Sequence, residues 1–452
     1  MAYIEKIVTE AEFQNALIDL MTENGWKKVK TFYKYIHKEK EQGSKENITK
    51  LYKFWCAKHV VLQNSDGGMY GIVQTWAWET KTKLDIDLSA DTGKAEFKSY
   101  VENNPRYKDR SCMYLYMIEQ VPNYQDNSVI PMGSQDGSEF QSIMDVELAE
   151  VKEIKTQNRN PNNGEIYYVY SYEYSDSPQL MMSPWVKCTF RNPRLQSVNV
   201  DTNWWPDSLI RITGQVDKDR VVLLIQADKT PAFENNSVPT IPIYLGRLES
   251  YANDDTIADA LWAGTAYDEG GESSSHSFNF ESKTPFRNVS NYMPRTKNYP
   301  KSPGNGIDNV IIKRSRFGAR YQAHYIAWNI PSNIMPPDRK STDGGQYPTA
   351  WQSHENDEYK YQFNPSLYSG RVHTSRAYVV HPDEGVRGYM PYVVLLSPLG
   401  LLNGDKLKVR QNTCPDTHDI YRFFTIDAIS PITKMPATAY RPAGLGIFEK
   451  TI

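Results

Sequence analysis

Cysteine is scarce in this chain. There are four in 452 residues (Cys56, Cys112, Cys188 and Cys414), and none forms a closely spaced pair. A disulfide-stapled scaffold needs a denser, clustered set, so the expectation is reduced thiols in a protein folded in a cytoplasm. Long apolar runs are missing too. Val221–Ile225 is a typical run and is only strand-sized, far short of the ~20 residues of a membrane-spanning helix. Met1-Ala-Tyr-Ile-Glu-Lys shows no basic segment leading into an apolar core, so neither a secretory signal nor a membrane partner is expected. Charge of one sign is absent as well, with 51 basic residues against 54 acidic and a net charge of −3. Nucleic-acid binding needs a clustered basic excess, so no nucleic-acid partner is expected. Local runs such as Lys27-Lys28-Val29-Lys30 and Lys38-Glu39-Lys40 have acidic neighbours and read as solvated faces.

Catalytic signatures are also lacking. The eight histidines (His37, His59, His276, His324, His354, His373, His381 and His418) build no HExxH, and there is no GxSxG, no P-loop and no GxGxxG opening a helix. The densest set of potential ligands is Cys414-Pro-Asp416-Thr-His418-Asp419. It is one half-site without a second Cys/His pair, and it reads equally as a turn. His381-Pro-Asp383-Glu384 and His354–Glu358 read as polar loops, while Asp254-Asp255 and Asp357-Glu358 lack the facing geometry of a glycosidase pair. No enzyme, metal or cofactor is expected.

Aromatic side chains are abundant instead, with 31 Tyr and 10 Trp at a mean hydropathy of −0.62. Such a chain builds its core and its contacts from amphipathic rings, which favour strands and protein interfaces. The best helix signal starts at Thr9. Glu12 completes a capping box, Phe13, Ala16, Leu17, Leu20 and Met21 form one apolar face, and Gly25 supplies the stop.

Further on the period drops to two. Leu51–Leu62 and Met69–Trp78 read as a hairpin around Asn64-Ser65-Asp66-Gly67-Gly68, and Met113–Val121 as another strand. Tyr167, Tyr168, Tyr170, Tyr172 and Tyr174 mark a tyrosine-coated strand. Leu209–Val216 and Val221–Asp228 flank the turn Asp217-Lys218-Asp219-Arg220, and Ile241–Leu248 follows, with Pro242 confining it to an edge or a strand start. Short helices are expected near Phe140–Val151 and over Thr256–Trp262. The last strands are Val310–Ile312, Tyr321–Ile330, Ala377–Val380, Val393–Leu396, Lys406–Val409 and Tyr421–Ile426.

The predicted class is mainly β with an N-terminal α+β portion, in antiparallel sheets (sandwich or barrel-like) with long decorated loops. The soft rule of about 150 residues per domain fits an α+β domain over 1–121 and a polar excursion over 122–165. A central β domain over 166–263, an extended loop over 264–309 and a C-terminal β domain over 310–452 complete the division. Residues 331–370 form another polar excursion. Loops of this length are usually functional or become ordered on a partner.

Two stretches resemble structural proteins of tailed bacteriophages, found in the tail, baseplate or neck. One is Asp219-Arg220-Val221-Val222-Leu223-Leu224-Ile225 followed by Pro242-Ile243-Tyr244-Leu245-Gly246-Arg247-Leu248-Glu249. The other joins Tyr421-Arg422-Phe423-Phe424, Ser430-Pro431 and Arg441-Pro442-Ala443-Gly444-Leu445-Gly446-Ile447. The two stretches span residues 219–249 and 421–447.

The resemblance implies a virion component assembled in the host bacterial cytoplasm. Its partners would be other virion proteins and copies of itself in a symmetric ring. The aromatic, loop-borne candidates for subunit contacts are Trp204, Trp205, Tyr292, Tyr299, Tyr347 and Trp351. The alternative is a receptor- or carbohydrate-binding module at a particle tip, with Trp204-Trp205 stacking on a host-surface glycan.

Overall fold

A computed structural model describes residues 3–44, 47–80, 112–132, 209–228, 240–250, 259–263, 309–314, 320–327, 374–381, 385–396, 403–411, 416–426 and 443–452. It also describes short pieces at 90, 92–93, 95–96, 143–144, 146, 148, 153–159, 164, 166–172, 182–183, 186–187, 316 and 414.

The chain opens with β1 (Tyr3–Thr9) and α1 (Glu10–Glu23). Next come β2 (Lys27–Ser44), β3 (Asn47–Gln63), β4 (Met69–Thr80), β5 (Cys112–Ile118), β6 (Ser128–Pro131), β7 (Glu153–Arg159), β8 (Ile166–Tyr172) and β9 (Val186–Lys187). The strands β10 (Leu209–Val216), β11 (Arg220–Asp228), β12 (Thr240–Arg247), β13 (Glu249–Ser250), β14 (Asp259–Ala263), β15 (Asn309–Arg314) and β16 (Arg320–Ala327) follow. The described chain closes with β17 (Ser375–His381), β18 (Gly385–Leu396), β19 (Lys406–Arg410), β20 (His418–Ile426) and β21 (Ala443–Thr451).

Among the described residues the fold is mainly β with a helix at the N-terminus, and no sheet closes into a barrel. The largest sheet has 13 strands in the order β1-β10-β11-β12-β14-β15-β16-β17-β18-β21-β20-β19, with β13 added on β18. A six-stranded sheet runs β6-β2-β3-β4-β5-β9, and β7 and β8 form a separate two-stranded ribbon. Pairings are antiparallel except β2 with β6. Among the described residues no helix is long and apolar enough to cross a membrane.

Burial alternation explains how these sheets stack. On β11, Val221, Leu223 and Ile225 enter the core shared with α1 and the six-stranded sheet. Val222 and Leu224 enter a second core with Tyr244, Trp262, Val379, Val393, Leu445 and Ile447. The large sheet therefore folds back on itself, and β11 is buried on both faces. That is the physical reason its sequence is a continuous apolar run rather than an alternating one.

α1 fills the first core through Phe13, Ala16, Leu17, Leu20 and Met21, the face its spacing predicts. The capping box is formed, with Thr9 N and Oγ1 donating to Glu12 at 3.0 and 2.8 Å.

Two local expectations meet a different outcome. The helix expected over Thr256–Trp262 is the strand β14 over its described part. Leu261 and Ala263 enter one core while Ala260 and Trp262 enter the other, a division that only a period-two backbone achieves. Of the helix expected over Phe140–Val151, Ile143 and Met144 form a helical turn, while Val146 and Leu148 are not helical. These four residues instead cover the outer face of the six-stranded sheet.

Pro242 is the third residue of β12 and pairs with Leu224 of β11; among the described residues the ladder to β14 begins at Ile243.

Candidate interaction surface

Of the polar groups that sequence inspection weighs for chemistry, those among the described residues include His59 and the Cys414–Asp419 stretch. His59 is fully buried, stacked on Phe32 with centroids 4.5 Å apart. Its Nε2 lies 2.8 Å from the Ile143 carbonyl oxygen and its Nδ1 3.2 Å from the Tyr116 hydroxyl. Burial, reinforced by the Lys34 charge, pushes the imidazole pKa down to about 3. The neutral ring therefore donates from Nε2 to Ile143 and accepts from Tyr116 at Nδ1. It anchors the covering segment at Ile143.

The Cys414–Asp419 stretch is a turn, in which Thr417 N donates to the Cys414 carbonyl at 2.9 Å. Asp419 Oδ1 accepts from Gln411 Nε2 at 2.6 Å and from Thr451 Oγ1 at 2.8 Å. Among the described residues no group of three His, Cys, Asp or Glu is placed to hold a metal. His381 ends β17, while Asp383, Glu384, the His354–Glu358 stretch and the acidic pairs at 254–255 and 357–358 lie outside the described residues.

Two charge networks tie distant strands together. Arg422 bonds Glu449 at 2.8 Å, approaches Glu5 at 3.5 Å and lies 4.9 Å over the Tyr3 ring. Lys406 reaches Glu449 at 3.0 Å, and Arg211 reaches Glu5 at 2.9 Å. Burial alone would raise the Glu449 carboxyl, but its hydrogen bonds to Arg422 and Lys406 hold it below its ordinary range.

The second network centres on the β10–β11 turn. Asp217 Oδ1 accepts from the backbone N–H groups of Asp219 and Arg220 at 2.7 and 2.8 Å, and its Oδ2 accepts from the Tyr392 hydroxyl at 3.1 Å. Arg220 pairs with Glu249 at 2.6 Å. The β3–β4 turn docks on the same place. Ser65 N donates to the Lys218 carbonyl at 2.9 Å, Asn64 Nδ2 to the Asp219 carbonyl at 3.2 Å and Trp26 Nε1 to the Asp217 carbonyl at 2.7 Å. Ser65 Oγ also bonds the Asp219 carboxylate.

The opposite end of the same ribbon is built differently. β2 and β3 stay paired from Lys27↔Gln63 out to Ser44↔Asn47. Among the described residues, β6 is paired with β2 as far as Tyr35 and β4 with β3 as far as Tyr52↔Thr80. The β2–β3 pairing continues from Lys40↔Leu51 to Ser44↔Asn47, a further ~17 Å at ~3.4 Å per residue. Around this end β2 and β3 carry Lys38, Glu39, Lys40, Glu41, Lys50 and Lys53, and Lys50 pairs with Glu39 at 2.6 Å. β7 and β8 are a second two-stranded ribbon, on which Ile166 is exposed.

The ribbon end of β2 was readable from sequence only as the solvated Lys38-Glu39-Lys40 run. Charged alternation alone does not distinguish a free strand from an exposed helix face. Tyr167, Tyr168, Tyr170 and Tyr172 fall in β8, whereas Tyr174, Trp204, Trp205, Tyr292, Tyr299, Tyr347 and Trp351 lie outside the described residues.

The resemblance motifs are placed in part: Tyr421–Phe424 lies on β20 and Ala443–Ile447 on β21, while Ser430-Pro431 and Arg441-Pro442 lie outside the described residues. Asp219–Ile225 and Pro242–Glu249 lie on neighbouring strands, with Arg220 opposite Gly246. Gly246 has φ +124°, and a Cβ there would run into the Asp219 carbonyl oxygen. Glycine and its partner thus specify each other through backbone contact. Comparison with family models, with curated proteins and with solved structures finds no match for this chain.

Proposed function

We propose that this chain is a structural component of a tailed-bacteriophage virion, in the tail, baseplate or neck, and works through contacts with neighbouring subunits. The observation that carries the reading is the β2–β3 ribbon, which among the described residues continues past both of its sheet neighbours. A two-stranded hairpin is marginal in water by itself and gains from a surface to lie on. An extended ribbon also offers unpaired strand edges to a neighbour. The described polar clusters support the same reading, because their side chains bind one another across strands. The phage resemblance supplies the class of assembly and the expectation of copies arranged in a symmetric ring.

The test is quantitative mass spectrometry of purified phage particles from a host that produces this chain. The reading expects peptides of the chain at a fixed ratio to the other virion proteins, retained after nuclease and salt washing. Particles that are complete and infectious without the chain would overturn it.

A further inference from the structure

The outward face of α1 and the terminal strand β19 carry opposite charge. α1 contains Glu10, Glu12, Asp19 and Glu23 and no basic residue. Glu12, Asn15, Asp19 and Glu23 are exposed, at spacings of three and four that align them in one stripe. Glu12 is held by Thr9 in the capping box, while among the described residues no ion pair engages Asp19 or Glu23. Glu23 stands in the last turn, where the helix dipole disfavours a carboxylate and favours a cation. Of the stripe's carboxylates, Glu12 serves the helix cap, while no ion pair among the described residues holds Asp19 or Glu23.

At the far end of the large sheet, β19 exposes Lys406, Lys408 and Arg410 and half-buries Leu407 and Val409 between them. Lys408 stands opposite Ile420, and Ile420 opposite exposed Lys450, so one rung across three strands carries a lysine on each side. Lys406 is bound to Glu449, but among the described residues no ion pair engages Lys408 or Lys450. Lysines on an edge strand repel stray strands and leave the edge open to an acidic partner. The stripes match in length. Glu12 to Glu23 spans ~16 Å at 1.5 Å per helical residue, and Lys406 to Arg410 spans ~14 Å of strand.

We infer that the acidic stripe of α1 in one copy docks on the basic edge formed by β19 and Lys450 in the next copy. Two different surfaces meet, so the contact is heterologous. Repeated, it generates a ring where the rotation closes and a filament where it does not. This inference rests on the reading that the chain acts through its own copies, and it names the two surfaces.

The experiment is sedimentation of the full chain and two double variants, Asp19→Lys/Glu23→Lys and Lys408→Glu/Lys450→Glu. The wild type self-associates at low salt and dissociates toward 1 M salt, where the screening length falls to about 3 Å. Each variant alone places like charges together and associates about a hundredfold more weakly. An equimolar mixture of the two regains association, because both of its contacts again pair opposite charges, and a chain carrying all four changes does the same. Recovery in the mixture also shows that both variants are folded.

Variants that associate as the wild type does, or a mixture that stays monomeric, would overturn the docking. A wild-type chain that remains monomeric at low salt would overturn it as well. None of these results bears on whether the chain occurs in particles at fixed ratio, which the mass-spectrometric test decides separately.

Discussion

The β2–β3–β4 ribbon has two ends built on opposite principles. At the Asn64 end, the turn is clamped to the β10–β11 turn through Asn64, Ser65, Trp26 and the Asp217–Asp219 backbone, beside a core that includes fully buried Leu62, Ile72 and Leu245. At the Ser44 end, the described residues show two paired strands with alternating charge and the ion pair Lys50–Glu39, both side chains exposed. One end places backbone donors and carbonyls where only this chain's own turn fits. At the other, no third strand is paired among the described residues. Stability is concentrated at the first and the proposed contact falls at the second, although both belong to the same strands.

The largest effect expected is at the clamped end. Gly246→Ala combines a strained φ of +124° with a Cβ inside contact distance of the Asp219 carbonyl, and it should destabilise the chain by about 3 kcal/mol or more in urea unfolding. A smaller version of the same test is Asn64→Ala. Asn64 is buried, accepts from Gly68 N at 2.7 Å and donates to the Asp219 carbonyl. Its loss leaves two backbone groups without partners and should lower stability by about 2 kcal/mol. If Asn64→Ala proved neutral, the clamped end would not hold the stability assigned to it.

pH provides a graded probe of the protected region. The folded His59 pKa of about 3 lies below the ordinary 6.5. Between pH 6.5 and 3 the unfolded chain therefore binds a proton that the folded chain refuses. The stability that depends on neutral His59 is complete above pH 6.5 and is lost as pH falls through that window, by roughly 5 kcal/mol in total. His59→Gln should flatten this slope in denaturant titrations at stepped pH. An unchanged slope would show that His59 is not the group responsible.

The smallest effects belong to the exposed surfaces. Glu39→Ala should leave the melting temperature unmoved, since an exposed pair holds little. Glu23→Lys should stabilise the fold by about 0.5 kcal/mol through the helix dipole while weakening self-association, two opposite signs from one substitution.

Sequence reading reached the local features and stopped at the long-range ones. The Thr9–Glu12 capping box, the apolar face of α1, the Asn64–Gly68 turn and the Asp217–Arg220 hairpin are each specified within a few residues, and each is present. The helix expected over Thr256–Trp262 fails because Ala260–Ala263 is apolar on both sides. Helix and doubly buried strand share that signature, and only the neighbouring strands β12 and β15 decide between them.

The pairing of Tyr3 with Gln215 and the stacking of β11 against Val393 and Leu445 leave no local mark at all. The ribbon end was visible as charge but not as geometry. The aromatic loop residues from Trp204 to Trp351 were singled out by type alone, and the described structure neither gathers nor separates them.

The most direct measurement is molar mass by light scattering on the full chain and on a version whose β2–β3 ribbon is cut back to a short turn joining Glu39 to Tyr52. Each is measured alone and with purified tail and neck subassemblies. Assembly through the ribbon predicts that the full chain grows into a defined complex, while the shortened chain melts at the same temperature and stays at its own mass. A shortened chain that assembles as fully as the intact one, or an intact chain that ignores the subassemblies and itself, would contradict it.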